Sequence, residues 1–182
     1  NMLVIVGASA SGKTEIANYL VNIYHYIKSI TTTTRDMRAY EQNHIHYHFI
    51  SKETFHELIK KDAFVETSEY QHALYGLQKS EVDTNKVVIL DPNGCNAVFR
   101  LFPEDVCIVY IQSSKELRQS RMLARGDTKA HIKKRSMSDD EVFHPSKIAN
   151  IHLMIDNHHQ PIHQIAQEIH TFYVQFKKEK KT

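Results

Sequence analysis

The sequence predicts an α/β fold. Short runs that are apolar on both faces recur along it and helical patterns separate them, the alternation that builds a parallel sheet covered by helices. The first run also ends in a glycine-containing turn that opens directly into a helix. That run, Met2-Leu3-Val4-Ile5-Val6, closed by Gly7, reads as a buried parallel strand. Ile16, Leu20, Ile23 and Ile27 then recur at spacings of three and four, which predicts one face of a helix beginning near Lys13. Val87-Val88-Ile89-Leu90 and Val106-Cys107-Ile108-Val109-Tyr110-Ile111 have the same central-strand character, and residues 151–155 are a weaker candidate. Helical patterns cover 96–101 and 113–125, the second with Ser113 and Glu116 at capping-box spacing. Ile162, Ile165, Ala166, Ile169, Tyr173 and Phe176 share a stripe, as a closing helix packed on the sheet requires, and residues 177–181 read as a frayed, solvated tail.

Two segments break this rhythm. Residues 31–82 contain a half-buried alternation over 44–50 and a second strand-like run at Phe64-Val65-Glu66-Thr67, and read as an inserted α+β subdomain. Residues 126–144 are polar and helix-prone but too poor in apolar residues to anchor a core helix, as expected of a mobile lid.

A chain of 182 residues suits one domain, or one core carrying small insertions. Its 41% hydrophobic and 24% charged residues are those of a globular protein, not a disordered, collagenous or membrane-spanning one. Lys and Arg total 23 against 21 for Asp and Glu, a net charge of +2 that gives no reason to expect nucleic acid. No apolar run approaches the ~18 residues needed to cross a bilayer. Cys95 and Cys107 lack metal-ligand spacing and are expected to be free thiols. A cytoplasmic monomer or homodimer is the expectation, with neither nucleic acid nor membrane as partner.

The motif that narrows the chemistry is Gly7-Ala8-Ser9-Ala10-Ser11-Gly12-Lys13-Thr14, a match to GxxxxGK[ST] standing between the first strand and the first helix. Its glycines let backbone N–H groups wrap a phosphate, the helix N-terminus adds a positive field, Lys13 reaches the outer phosphates and Thr14 can ligate Mg²⁺. A nucleoside triphosphate is the expected ligand. Farther on, Thr31-Thr32-Thr33-Thr34-Arg35-Asp36-Met37-Arg38 sets two guanidinium groups three residues apart behind a run of hydroxyls, a pattern suited to a second anion. Arg118, Arg121 and Arg125 are three and four apart, so on a helix they would face a common anion. Asp91, ending an apolar run, is placed either to hold a metal's water shell or simply to turn the chain before Pro92.

In order and near-spacing, GASASGKT, TTTTRDMR, HYHF, FVE, LYG, VVILD, RMLARG and IKKR resemble the guanylate kinase family over nearly the whole chain. The resemblance implies a P-loop kinase: a parallel five-stranded core sheet flanked by helices (1–30, 83–120 and 146–182), a nucleoside-monophosphate insert (31–82) and a helical lid (121–145). It implies transfer of the γ-phosphoryl group of ATP, with Mg²⁺, to GMP or dGMP. Thr31, Arg35, Arg38, Tyr47 and Tyr75 would hold the acceptor's phosphate, and Glu66 would accept from the guanine edge. Lys13, Arg35, Arg121, Arg125 and Arg135 would stabilise the transferring group, with Thr14 and Asp91 at the metal.

The sequence departs from the family mainly where the base is read. Leu77 stands where a hydroxyl is usual and Asn93 where a second acid is usual; an amide both accepts and donates, which weakens the preference for guanine. Ala10 replaces a usual glycine, and the stretch from Gly126 to Arg135 is about one residue short by the same comparison, leaving Lys134 and Arg135 both open as the lid residue. A related kinase acting on a sugar phosphate, such as ribose 1,5-bisphosphate, and a non-catalytic phospho-ligand module remain alternatives. His44, His46 and His48 would share a strand face, though an ordinary half-exposed strand explains them without a metal.

Overall fold

The computed structural model describes residues 1–70 and 72–180. In chain order the elements are β1 (Met2–Val6), α1 (Lys13–Tyr24), β2 (Ile27–Lys28), β3 (Thr32–Thr33), β4 (His48–Phe49), α2 (Lys52–Lys60), β5 (Phe64–Tyr70) and β6 (Ala73–Gln78). There follow β7 (Lys86–Ile89), α3 (Pro92–Leu101), β8 (Val106–Gln112), α4 (Lys115–Ala124), α5 (Lys129–Val142), β9 (Leu153–Asp156) and α6 (Ile162–Glu179). A parallel five-stranded sheet runs β2-β7-β1-β8-β9, and a four-stranded sheet of order β4-β3-β6-β5 is built from the intervening segment.

β1 is central and fully buried because both its faces are covered. Successive strand side chains point to opposite faces. Leu3 and Ile5 therefore pack with Ile16 and Leu20 of α1 and with Ile165, Ile169 and Tyr173 of α6. Met2, Val4 and Val6 face the opposite way, onto Val88, Cys95 and Val98. The sheet delivers the loop after β1 and the ends of β7, β8 and β9 to one edge, the carboxyl edge where parallel sheets place their ligands. Among the described residues no helix is long and apolar enough to cross a membrane.

Several sequence expectations need correction. The first helix does not reach Ile27. The chain turns at His25, with φ +58°, closing on the carbonyl of Leu20, and leaves Ile23 and Ile27 53% and 57% exposed. Ile27 instead pairs with Lys86 as a two-residue edge strand, too short for periodicity to reveal. Residues 44–50 are mostly a turn, since His44 takes φ +65°, Tyr47 makes only an isolated bridge to Asn43 and the strand is confined to His48 and Phe49, so the three histidines share no strand face. Ser114, not Ser113, caps α4, accepting from the Leu117 N–H at 3.2 Å. The end of α6 is tied down: Lys177 Nζ donates to Asn85 Oδ1 at 2.7 Å, and Lys180 pairs with Glu104. Residues 181 and 182 of the expected tail lie outside the described residues.

Candidate active site

The loop of residues 7–14 is shaped by what touches it. Gly7 and Gly12 admit no side chain: a Cβ at Gly7 would stand 2.2 Å from the Ile111 carbonyl oxygen, and one at Gly12 would stand 2.4 Å from Asn157 Nδ2. Ala10 takes φ +60°, the left-handed conformation that a glycine would adopt without strain. Gly12, at φ +96°, caps α1 without any side chain, so the first N–H groups of that helix are left for a ligand. Ser11 Oγ is buried and unpartnered among the described residues. Tight glycines, open N–H groups and an adjacent lysine fit the phosphates of a nucleoside triphosphate.

Lys13 is half-buried beside this loop, its Nζ donating to the Ala8 carbonyl at 2.7 Å. Burial pushes its ammonium down to about 8, with Asp139 pulling the other way and Arg135 adding to the depression. Ser9 is contacted twice from α5. Its N–H donates to Asp139 Oδ2 at 2.9 Å, and its hydroxyl accepts from Arg135 Nε at 2.7 Å. Of the two adjacent basic residues, Arg135 is therefore the one that reaches the loop.

The three arginines of α4 and its end do not face one anion. Arg118 is buried and paired with Asp140 at 2.9 Å. Arg121 donates to the Ala10 carbonyl (3.1 Å), Ser113 Oγ (3.2 Å) and the carbonyls of Asn157 and His158 (both 3.4 Å). Arg125 pairs with Asp127 at 2.7 Å. Helical spacing gave a common stripe, but each guanidinium found a different acceptor. Arg121 and Arg125 nonetheless line a cavity of about 600 Å³ together with Gly12, Lys13, Thr14 and Asn157.

A second anion-receptive cluster stands in the inserted segment. Arg35 lies over the rings of Tyr47 and Phe49, 5.4 and 5.5 Å from their centroids, and the Tyr75 ring packs edge-on against Tyr47 at 6.2 Å. Its fork grips Glu41 through Nη1 to Oε2 at 3.0 Å and Nη2 to Oε1 at 2.7 Å. Arg38 gives its backbone N–H to the same carboxylate at 2.8 Å, while its side chain reaches Tyr40. Arginine bonding therefore drives the Glu41 carboxyl down to about 2. The threonine run does not supply the expected ring of hydroxyls. Thr32, Thr33 and Thr34 stitch β3 to β6 through Gln78 and the backbone of Leu74, and only the half-buried Thr31 remains for a ligand.

Glu66 stands across from Leu77 in the β5–β6 pair, half-buried. A Cβ on Gly94 would come within 2.9 Å of Glu66 Oε1, so the glycine makes room for this carboxylate at the start of α3. Burial first, and the nearby Asp91 second, push the Glu66 carboxyl above the ordinary range. Asp91 caps α3, accepting from the Gly94 N–H at 2.7 Å through one oxygen. Asn93 is exposed in the first turn of α3, and Leu77 is buried with Val65 and Cys95, offering no polar atom. The buried thiol of Cys95 is pushed well above its usual range, as a packing residue's would be.

Sequence reasoning missed three contributors. Asn157 follows the last core strand, and its Nδ2 donates to the Ser11 carbonyl at 2.9 Å. The rule that parallel sheets bind at their carboxyl edge would have flagged it. Glu41 lies six residues after Arg35 with nothing local to single it out, and Asp139 is indistinguishable by sequence from its neighbour Asp140.

A glycine-lined, lysine-bearing loop at the carboxyl edge of a parallel sheet, with a basic helix folded over it, defines a P-loop kinase fold. The family model described as guanylate kinase matches residues 1–170. Guanylate kinases of Neisseria gonorrhoeae and Helicobacter pylori are 30% and 34% identical over 145 and 146 residues; the matches cover 76% and 74% of this chain and 71% and 69% of those proteins. The crystal structure of guanylate kinase from Anaplasma phagocytophilum superposes with a TM-score of 0.68 at 22% identity, covering 96% of this chain and 84% of that one. A gluconokinase from Sinorhizobium meliloti shares the fold at a TM-score of 0.55 and 12% identity, over 98% and 94% of the two chains. The chain belongs to the guanylate kinase family.

Proposed function

We propose that this protein transfers the γ-phosphoryl group of ATP to GMP or dGMP, giving ADP and GDP or dGDP. The observation that carries this reading is the presence of two anion-receptive centres on one chain: the loop of residues 7–14 with Lys13 and Arg135, and the Arg35 cluster with Tyr47 and Tyr75. A kinase that joins a triphosphate to a monophosphate needs both. On this reading residues 31–82 form the acceptor-binding insert and 121–145 the lid.

In the proposed division of labour, Gly7, Ala8, Ser9, Ala10, Ser11 and Gly12 receive donor phosphates with backbone N–H groups. Lys13 neutralises the outer ones, and Arg121, Arg125 and Arg135 hold charge on the lid side. Thr31, Arg35, Arg38, Tyr47 and Tyr75 bind the acceptor's phosphate, Arg35 giving up Glu41 to do so. Glu66 accepts from guanine N–H groups, helped by the amide oxygen of Asn93. Mg²⁺, when bound, neutralises charge on the phosphate oxygens; the Thr14 hydroxyl and Asp91 carboxylate would hold it, a sparse protein donor set that suits this ion. Phosphoryl transfer needs little covalent chemistry from side chains, so positioning and charge carry the rate.

The test is ADP release from ATP and Mg²⁺, measured in parallel with GMP, dGMP, AMP, UMP, CMP and ribose 1,5-bisphosphate. Turnover with GMP or dGMP well above the others is expected. Turnover with the sugar phosphate alone would replace this reading with that of a diverged kinase, and turnover with none would leave a binding module.

A further inference from the structure

The contact between α5 and the phosphate loop has an unusual chemistry. Asp139 is 7% exposed, and its Oδ2 accepts the Ser9 N–H at 2.9 Å. That N–H belongs to the backbone that a phosphate-binding loop turns toward its ligand. One helical turn earlier, Arg135 holds the Ser9 hydroxyl, so α5 grips a single loop residue with an acid and a base four positions apart. Lys13 stands close enough for Asp139 to favour its charged form. The carboxylate thus takes a hydrogen bond from a loop N–H, as a bound anion would, with the Lys13 ammonium near enough to feel its charge. It is not consumed by the neighbouring ion pair, because Arg118 and Lys115 are both committed to Asp140.

We propose that Asp139 sets donor affinity by standing in for a phosphate oxygen: its carboxylate holds the Ser9 N–H while no nucleotide is bound and must leave before a triphosphate uses that group. The inference rests on the loop being the donor site. A tethered carboxylate competes at a high effective concentration. It excludes ligands that bring a single weak anionic contact and admits those, such as a nucleoside triphosphate, that bring several. It also keeps α5 seated over the loop when the donor is absent, so Lys13 retains a counter-charge in the buried site.

The test is direct titration of ATP, and separately of inorganic tripolyphosphate, into wild type, Asp139→Asn and Asp139→Ala by calorimetry without acceptor. The amide keeps the size of the side chain and removes its charge, and the alanine removes the competitor altogether. Loss of one charged hydrogen bond that the ligand must displace corresponds to about a tenfold fall in Kd for both ligands. A side chain that merely braced the loop would give the opposite sign, a rise in Kd on truncation. Unchanged or weaker binding in both variants, with wild type binding ATP, overturns the role of Asp139 alone. Failure of all three proteins to bind ATP or tripolyphosphate overturns the donor-site reading and this inference with it, whereas binding by the variants only would mean that the carboxylate closes the loop completely.

Discussion

Asn157 and Gly12 are fitted to one another: the Asn157 amide nitrogen donates to the neighbouring Ser11 carbonyl at 2.9 Å and would lie only 2.4 Å from a Cβ on residue 12. The last core strand thereby braces the loop made by the first. Gly12→Ala should impose both left-handed strain, ~1 to 2 kcal/mol, and displacement of the brace. Asn157→Ala should leave a buried carbonyl unpaired at a cost of ~1 to 3 kcal/mol. Each variant is expected to unfold several degrees below wild type in a thermal scan, at ~2 to 4 °C per kcal/mol for this size, and to bind ATP more weakly.

Ala10 makes the opposite prediction. At φ +60° it bears strain that Gly does not. Ala10→Gly should gain ~1 kcal/mol in the native state, part of it returned through the freer unfolded chain. A midpoint raised by one to a few degrees is expected; a lowered midpoint would mean that the methyl group packs more usefully than its backbone angle costs.

Lys13 links donor binding to pH. Its ammonium, pushed down from 10.5 to about 8 by burial, is protonated below that value and loses its proton as the pH rises through it. The unfolded chain holds the proton up to the higher value, so stability should rise with pH between these two points. Donor phosphates favour the charged lysine. ATP affinity should therefore weaken from pH 7 to pH 9, with proton uptake on binding at the upper end, measurable as a buffer-dependent calorimetric heat.

Glu66 predicts a fall in acceptor affinity at the acid end. In its proposed role it accepts from guanine as the carboxylate, and burial together with Asp91 raises its pKa. KM for GMP should rise as pH is lowered, beginning at a higher pH than an ordinary carboxylate would give, and Glu66→Gln should flatten that limb. Asn93→Asp, which removes the competing N–H donor, should raise the preference for GMP over AMP by about tenfold. Unchanged selectivity would mean that the residue 93 side chain does not face the base.

The core was legible because each central strand is buried on both faces and so is written as an unbroken apolar run, as in Val106-Cys107-Ile108-Val109-Tyr110-Ile111. The loop was legible because the Ile111 carbonyl at Gly7 and the Asn157 amide at Gly12 come too close for a side chain at either position. β2 was not, since a two-residue edge strand has no period, and Ile23 and Ile27 kept a helical spacing that tertiary packing does not use. The arginines mark a different limit. Spacing located Arg118, Arg121 and Arg125 on one helical stripe, but Asp140, the loop carbonyls and Asp127 lie elsewhere in the chain or on a turn, and they decide where each guanidinium goes.

The order of the core sheet also governs when the glycine-containing loop of residues 7–14 can form during synthesis. β1 is made first yet lies between β7 and β8, and its inner face is closed by α6. The loop at its end is then braced by Asn157, made more than a hundred residues later. The nascent chain must therefore carry its most apolar strand without a partner until residues 86–112 have emerged, and the inserted sheet, whose strands all lie within residues 32–78, can assemble in the interval. Ribosome-bound chains ending before β8 should expose that strand to chaperones, and nucleotide binding should be acquired late in translation.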